Sequence, residues 1–211
     1  MAGLIEEIRR RVAPLNAAIL EAPAVRRPDE RVVRRFVANQ LYIVPSDLKA
    51  LSSALARAHA DNEYKFIKRL IDGDYEAFFA LRELAEELGV RAALADVDPA
   101  AVAYTHFLTW LAAHGTPGDL AVAMTINLPV WGAGCAALSK WLRERGYRKT
   151  RFLDAFSGPY DELEAAAEAV ALRYLDQERY LYIAKAIQTY ECLFWYSISD
   201  APLDACRARA S

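Results

Sequence analysis

The sequence YLYIAKAIQTYECLFWYSI, residues 180–198, decides the fold class. Its apolar side chains recur at three- and four-residue steps, at Tyr180, Ile183, Ala184, Ile187, Phe194 and Ile198. This is the period of one face of an α-helix, so a helix is predicted over residues 178–199. Most other segments are rich in Ala, Leu, Arg and Glu, which favour helices, and long alternating strand patterns are absent. The sequence therefore predicts an all-α fold.

Proline and glycine mark the ends of the predicted helices. Pro45 is expected to break a helix near Val44, because proline lacks a backbone donor and clashes with the preceding turn. The helices are predicted at residues 3–21, 29–44, 46–60, 62–71, 74–89, 98–114, 117–145, 150–156, 160–175 and 178–199. With no Ser/Gly-rich linker between them, they are expected to form a single domain over 1–204. A short tail, 205–211, is expected to be disordered.

Composition excludes several classes of protein. The chain has 211 residues, 55% of them hydrophobic, and a net charge of −2. A disordered chain would be less apolar, and a nucleic-acid-binding domain would be basic, so no nucleic-acid partner is expected. The N-terminal segment has no apolar core of the kind found in signal peptides, and we expect a cytoplasmic protein.

One segment is long and apolar enough to raise the question of a membrane. Residues 120–139 carry no charge, and twenty helical residues span roughly 30 Å, the thickness of a bilayer core. The segment also contains Asn127, Pro129 and two glycines, and it is not dense in large aliphatic residues. We therefore expect the central buried helix of the domain and no membrane contact.

The cysteines and histidines predict no metal site. Cys135, Cys192 and Cys206 are widely spaced and form neither a disulfide framework nor a CxxC site, so we expect three buried or idle thiols. The three histidines lack the spacing that a helical metal centre needs. No phosphate-binding or dinucleotide-binding motif occurs, and we expect no cofactor.

Polar residues inside apolar stripes are the first candidates for a site, because burying them costs free energy unless they are paired. Glu191 lies within the stripe of the last helix, with Trp195 one turn later. It fits a general acid or base, an anchor for an amino group, or a structural carboxylate. Gln40 is either an amide satisfied by a neighbouring helix or a pocket residue. Asn127 either faces a pocket or bonds backbone near Pro129.

Three segments together resemble the TenA family of thiaminase II-like proteins, which also includes the PqqC oxidases. The segment VRRFVANQLY, residues 33–42, is similar to the family's helix with a Gln-Asp-Tyr core. A Tyr-Thr pair at Tyr104 and the segment LPVWG, residues 128–132, resemble two further helices. YECLFW, residues 190–195, matches the family's Glu-x-x-Phe-Trp motif. The resemblance implies a haem-oxygenase-like multi-helix bundle and a homo-oligomer, either a dimer or a tetramer.

The sequence departs from that family at most of the positions that the resemblance places in the pocket. Leu41 stands where thiaminase II-like members have the aspartate that binds the aminopyrimidine, and Val44 replaces a tyrosine. Val130 stands in place of the cysteine nucleophile, Gly134 in place of a tyrosine, and Phe156 in place of another. Of the catalytic set, only Glu191 and Tyr104 are retained. A cysteine-free branch relies on carboxylates, so hydrolysis is not excluded.

Three functions follow from this combination. The first is hydrolysis of a C–N bond in a thiamin-related aminopyrimidine, with Glu191 as acid or base and water as the attacking group. The second is a pocket without catalysis, which binds a flat apolar ligand or a partner. The third is an oxidase like PqqC, which the scarcity of histidine disfavours. The predicted small-molecule pocket contains Gln40, Leu41, Val44, Tyr104, Asn127, Val130, Trp131, Gly134, Phe156 and Trp195 beside the catalytic candidate Glu191.

Overall fold

The computed structural model describes residues 3–206, and within them it contains eleven α-helices and no strand. The helices are α1 (Leu4–Arg11), α2 (Ala13–Glu21), α3 (Pro23–Arg26), α4 (Glu30–Leu55), α5 (Asp61–Leu88), α6 (Ala103–His114), α7 (Pro117–Ile126), α8 (Leu128–Arg143), α9 (Arg151–Asp154), α10 (Asp161–Ala171) and α11 (Gln177–Ser197). The predicted all-α class is therefore confirmed.

The longest helices are continuous where the sequence predicted breaks. Pro45 lies inside α4 rather than ending it. Both halves of α4 bury apolar side chains, such as Phe36 and Leu51, and α4 packs along α5 and α6. This packing outweighs the roughly 3 kcal/mol that an internal proline costs. In the same way α5 continues through Gly73, where the sequence predicted a gap between two helices.

The central apolar segment is broken where the sequence predicted one helix. Residues 117–145 form α7 and α8, which meet at Asn127. Pro129 lies in the first turn of α8, where its missing N–H costs nothing. The segment Pro117–Arg143 is long and apolar enough to cross a membrane, with a mean hydropathy of 1.5, and 56% of its most apolar window is buried inside the bundle. This burial agrees with the predicted central position of the segment.

The other helices surround this segment. α7 packs against α10 and α11, and α11 also contacts α2 and α6. α8 packs on α9, which in turn contacts α5. The predicted N-terminal helix over 3–21 is divided at Val12, and the predicted helix over 98–114 begins only at Ala103. Together α4, α5, α6, α7, α8 and α11 leave a cavity between them.

The prediction of three free thiols was wrong. Cys192 on α11 forms a disulfide with Cys206, while Cys135 is a buried free thiol. After α11 the chain turns at Asp200, whose backbone is left-handed (φ 52°), and residue 206 returns beside α11. Spacing along the sequence does not show such a return. Ala205 and Cys206 are therefore ordered, and the rest of the predicted tail, 207–211, lies outside the described residues.

Candidate functional site

The central cavity has a volume of about 100 Å³ and lies between α4, α5, α6, α7, α8 and α11. Its lining consists of Gln40, Ile43, Val44, Asp47, Asp74, Ala77, Ala101, Tyr104, Ala123, Met124, Asn127, Leu128, Trp131, Phe152, Phe156 and Phe194. This lining combines a large apolar wall with a few polar groups, which is the usual composition of a small-molecule site.

Aromatic rings form one wall of the central cavity. The Trp131 ring centroid lies 5.7 Å from those of both Phe156 and Phe194, in edge-to-face arrangements. The rings of Phe152 and Phe156 are 5.5 Å apart and are also edge-to-face. Phe36 stacks on Trp131 from behind, at 5.6 Å. Because each ring is held by others, the wall presents fixed faces and edges to a planar ligand.

One face of α4 supplies polar groups to the opposite wall. Gln40, Val44 and Asp47 are four and three residues apart, so they project from the same side of the helix. Gln40 is only 3% exposed. Its amide has no hydrogen bond to any residue in the described range 3–206. The interpretation of Gln40 as an amide satisfied by a neighbouring helix is therefore wrong.

Two aspartates in the cavity were missed by sequence reasoning. Asp47 is 6% exposed and accepts a hydrogen bond from the Thr105 hydroxyl of α6. Burial and the nearby carboxyl group of Asp74 raise the pKa of Asp47 well above its usual value. Asp74, on α5, is half-buried, and the burial of its carboxyl group raises its pKa to about 7. Neither aspartate forms an ion pair within residues 3–206.

Both omissions have an identifiable cause. The helix predicted to end at Val44 left Asp47 in a separate predicted helix, although it continues the stripe of Gln40. Asp74 follows Gly73, so it fitted the N-terminal cap of a new helix. Extending the α4 stripe by one turn would have placed Asp47 beside Gln40 and Val44. No comparable signal in the sequence indicates Asp74.

Tyr104 links the polar groups to the apolar wall. Its hydroxyl donates to the Met124 sulfur at 3.4 Å, which is a weak hydrogen bond. Burial, then the carboxyl groups of Asp47 and Asp74, raise the pKa of Tyr104 well above its usual value. The hydroxyl therefore stays protonated and is able to donate to a ligand.

Glu191 lies behind the cavity wall rather than on it. It is 4% exposed and accepts a hydrogen bond from Trp195 Nε1 at 2.8 Å. Burial raises the pKa of Glu191 to about 7, although hydrogen bonds from Trp195 and Asn127 oppose that shift. Asn127 lines the cavity, and its Oδ1 is buried with no hydrogen-bond partner in the described chain. Asn127 thus connects Glu191 with the cavity.

The structure brings together only part of the predicted site. Six of its residues line the cavity: Gln40, Val44, Tyr104, Asn127, Trp131 and Phe156. Among residues 3–206 the lining does not include Leu41, Val130, Gly134, Glu191 or Trp195. Leu41, Val130 and Trp195 belong to the packed core beside the cavity. A Cβ atom on Gly134 would lie 2.3 Å from the Trp195 ring, so this glycine serves close packing of α8 on α11.

No alternative nucleophile faces the cavity from the residues described. Cys135 is fully buried, and burial, with Glu191 nearby, raises the pKa of its thiol well above the usual value. It is absent from the lining, which contains no serine, threonine or histidine either. Within the described range, no three His, Cys, Asp or Glu side chains are grouped in a way that could hold a metal ion.

The helical topology and the central cavity define an all-α bundle of the haem-oxygenase-like class. A solved structure described as a TenA homologue from Pyrococcus furiosus has the same fold, with a TM-score of 0.72 over 93% of this chain and 99% of that one. The two sequences are 19% identical. No curated protein sequence matches significantly. The model of the TENA/THI-4/PQQC family matches residues 26–201, and the chain belongs to that family.

Proposed function

We propose that the protein binds a small planar aromatic compound of the aminopyrimidine type in the central cavity. The observation that carries this proposal is a pair of amides without complete hydrogen bonding. Among residues 3–206 Gln40 has no partner, and Asn127 Oδ1 is buried and unbonded, in a cavity with an aromatic wall. Buried polar groups are almost always bonded, so a ligand that completes these bonds gains affinity.

The chemistry of an amide matches that of an aminopyrimidine. A glutamine side chain can donate to a ring nitrogen and accept from the adjacent amino group at the same time, as it does with adenine. The wall of Trp131 and Phe156 supplies the faces and edges that pack against a planar ring. Membership of the TENA/THI-4/PQQC family supports the same class of ligand.

The test is a calorimetric titration with 4-amino-5-aminomethyl-2-methylpyrimidine. We expect binding that weakens roughly tenfold or more in Gln40→Ala, since one buried hydrogen-bond pair is lost. Gln177→Ala, on the exposed start of α11, is the matched control and should bind as the unaltered protein does. An absence of heat at millimolar ligand, or equal affinity in both variants, would contradict the proposal.

Hydrolysis is the second candidate function, and the hydrogen bond between Glu191 and Asn127 of the cavity favours it. A carboxyl group with a pKa of about 7 is partly ionised at neutral pH, which suits a proton acceptor. In this reaction water adds its oxygen to carbon, and the C–N electron pair leaves with nitrogen. Glu191 accepts the proton that water loses, and the amine nitrogen, which is already protonated, leaves as ammonia. Asn127, which lines the cavity and is hydrogen-bonded to Glu191, links that carboxyl group to the ligand.

The assay for this candidate follows formation of the hydroxymethyl product from the aminomethyl substrate. Glu191→Gln should retain binding and lose at least roughly 100-fold in rate, in line with loss of a general base. The exposed Glu178 provides the control variant Glu178→Gln. Turnover by the Glu191→Gln variant at the original rate would remove Glu191 from the reaction. Binding without any product would leave a ligand-binding protein, and no described residue favours the oxidase alternative.

A further inference from the structure

The two aspartates of the central cavity have no cation to balance them among the residues that the structure describes. Within residues 3–206 the lining contains no lysine, arginine or histidine. Within residues 3–206 the hydroxyl of Thr105 is the single side-chain donor to Asp47, and Asp74 accepts no hydrogen bond. Elsewhere in the described chain the buried carboxylates Glu63 and Asp119 are each paired with an arginine. Among the described residues, Asp47 and Asp74 have no such partner, and neither does Glu191 behind the cavity wall.

Gln40 is an independent indication that this part of the cavity is built for a ligand. It is 3% exposed, lies two helical turns before Asp47 on the same face of α4, and has no partner among the described residues. A structural amide at such a depth would be bonded to a neighbouring helix. Its free donor and acceptor instead face the same space as the two carboxyl groups.

The surrounding groups add no positive charge. The charges of Asp74 on α5 and Glu191 on α11 act on Asp47, and the Thr105 hydroxyl of α6 donates to it. The same three carboxyl groups act on Tyr104 of α6. Two like charges in an apolar site oppose each other's ionisation, so the pair of carboxyl groups favours keeping a proton. A ligand that brings a positive charge relieves this repulsion, whereas a neutral ligand leaves it in place.

The apolar wall points to an organic cation rather than a metal ion. Among the described residues no three His, Cys, Asp or Glu side chains are grouped in a way that could hold a metal ion, and the cavity lining contributes two carboxyl groups. Trp131, Phe156 and Phe194 present aromatic rings on the other side, which attract organic cations and pack on their carbon atoms. A flat molecule with one basic nitrogen satisfies both sides at once.

We propose that the central cavity selects ligands carrying a protonated amine or amidinium group, held between Asp47 and Asp74, while Gln40 binds the adjoining polar edge. This inference rests on the proposed function for the place of binding and adds the charge that the ligand must carry. Asp47 and Asp74 thereby supply, from other positions, the acidic recognition that Leu41 does not.

The experiment compares ligands that differ in one charge. The aminomethylpyrimidine and its neutral hydroxymethyl analogue form one pair, and benzamidine and benzamide form a second pair without a pyrimidine ring. We expect the cation of each pair to bind roughly 30-fold or more tightly than its neutral partner, as for a desolvated charge pair. In Asp74→Asn and Asp47→Asn this preference should fall to about threefold or less.

Asp72→Asn is the matched control. Asp72 lies on the exposed side of α5 and pairs with Lys68, so this variant should keep the full preference for cations. Melting temperatures of all three variants show whether each is folded. If Asp47→Asn does not fold, Asp74→Asn decides the test, because its side chain has no hydrogen bond to lose in residues 3–206.

The outcomes separate the two proposals. Equal affinity for charged and neutral pyrimidines overturns the charge inference and leaves the proposed function intact. Preference for benzamidine over benzamide, with no pyrimidine binding, supports the charge inference and overturns the aminopyrimidine proposal. Failure of all four compounds to bind at millimolar concentration overturns both. Equal preference in Asp74→Asn and Asp72→Asn shows that Asp74 does not contact the cation.

Discussion

Carboxyl groups shielded from water occur in two regions of this molecule. The two regions differ in how many hydrogen-bond and ion-pair partners these groups have. At the starts of α5 and α7, Glu63 is 0% exposed and Asp119 is 1% exposed. Glu63 accepts hydrogen bonds from the backbone of His59 and Ala60 at 2.9 and 3.2 Å and from the Tyr174 hydroxyl at 2.8 Å. Asp119 caps α7 and accepts a hydrogen bond from Arg179 at 2.8 Å.

The carboxylates of the central cavity lack such partners. Asp47 has one hydroxyl donor, and Asp74 has none within the described chain. The consequence is an opposite shift: burial raises the pKa of Asp74, whereas hydrogen bonds to Glu63 overcome burial and lower its pKa. Burial alone therefore does not distinguish a structural acid from a functional one. We infer that the number of partners does, and the proposed ligand completes the bonding of the unpaired groups in the cavity.

The largest effect is expected from Glu63→Ala. This change strands two backbone N–H groups, the Tyr174 hydroxyl and the Arg173 guanidinium, which should destabilise the fold by about 3 kcal/mol. Urea unfolding measures the loss, and Glu86→Ala, on the exposed face of α5, is the control. A loss below about 1 kcal/mol would contradict the claim that the partners of Glu63 make it a stabilising carboxylate, unlike the aspartates of the cavity.

Asp74→Asn should act in the opposite direction, with a gain of about 2 kcal/mol at pH 8, because an amide carries no charge to desolvate. The folded pKa of Asp74 is raised to about 7, so the folded state holds a proton that the unfolded state has already released. The stability that protonated Asp74 contributes to the fold is fully present below about pH 4, and it is lost as the pH rises to about 7. The gain should therefore disappear at pH 4.

The measurement is the free energy of unfolding of Asp74→Asn and of the unaltered protein, each at pH values from about 4 to about 8. Glu63 contributes with the opposite sign, since its lowered pKa adds stability above its unfolded pKa and loses it as the pH falls. Asp72→Asn, exposed on the same helix, should follow the unaltered protein at every pH. A gain in Asp74→Asn that is the same at pH 4 and pH 8 would show that ionisation of Asp74 is not its cause.

Thr105→Val is expected to have the smallest effect. It removes the single hydroxyl donor to Asp47 while keeping the volume of the side chain, and the fold should lose about 1 kcal/mol. Thr189→Val, on the exposed side of α11, is the control. The same substitution should weaken binding of a cationic ligand, because Asp47 then ionises less readily. Unchanged stability together with unchanged binding would show that the Thr105–Asp47 contact does not matter.

The sequence predicts the class of fold and the burial of Glu191, because both depend on local periodicity. The stripe of α11 has the expected spacing, and Glu191 lies within it. The resemblance to the TenA family is confirmed by the family match over residues 26–201. These features can be predicted without knowing which helices pack against each other.

The cavity could be predicted only in part, because its shape depends on contacts between distant helices. Proline at position 45 suggested a break, but packing on α5 and α6 keeps α4 continuous and brings Asp47 into the site. Asp74 lies on α5, and the sequence pattern of that helix does not indicate that Asp74 lines the cavity. The disulfide between Cys192 and Cys206 was missed for the same reason, since it forms across a turn whose path the sequence does not show.

The most direct measurement is the pKa of the Asp74 carboxyl group, followed by carbon NMR with and without 4-amino-5-aminomethyl-2-methylpyrimidine. We expect the pKa of Asp74 to be about 7 in the free protein. On saturation with the cationic ligand the pKa of Asp74 should fall by at least about 2 units, because the ligand charge favours the carboxylate. A pKa near its ordinary value of about 4 in both states would contradict the claim that Asp74 awaits a cation.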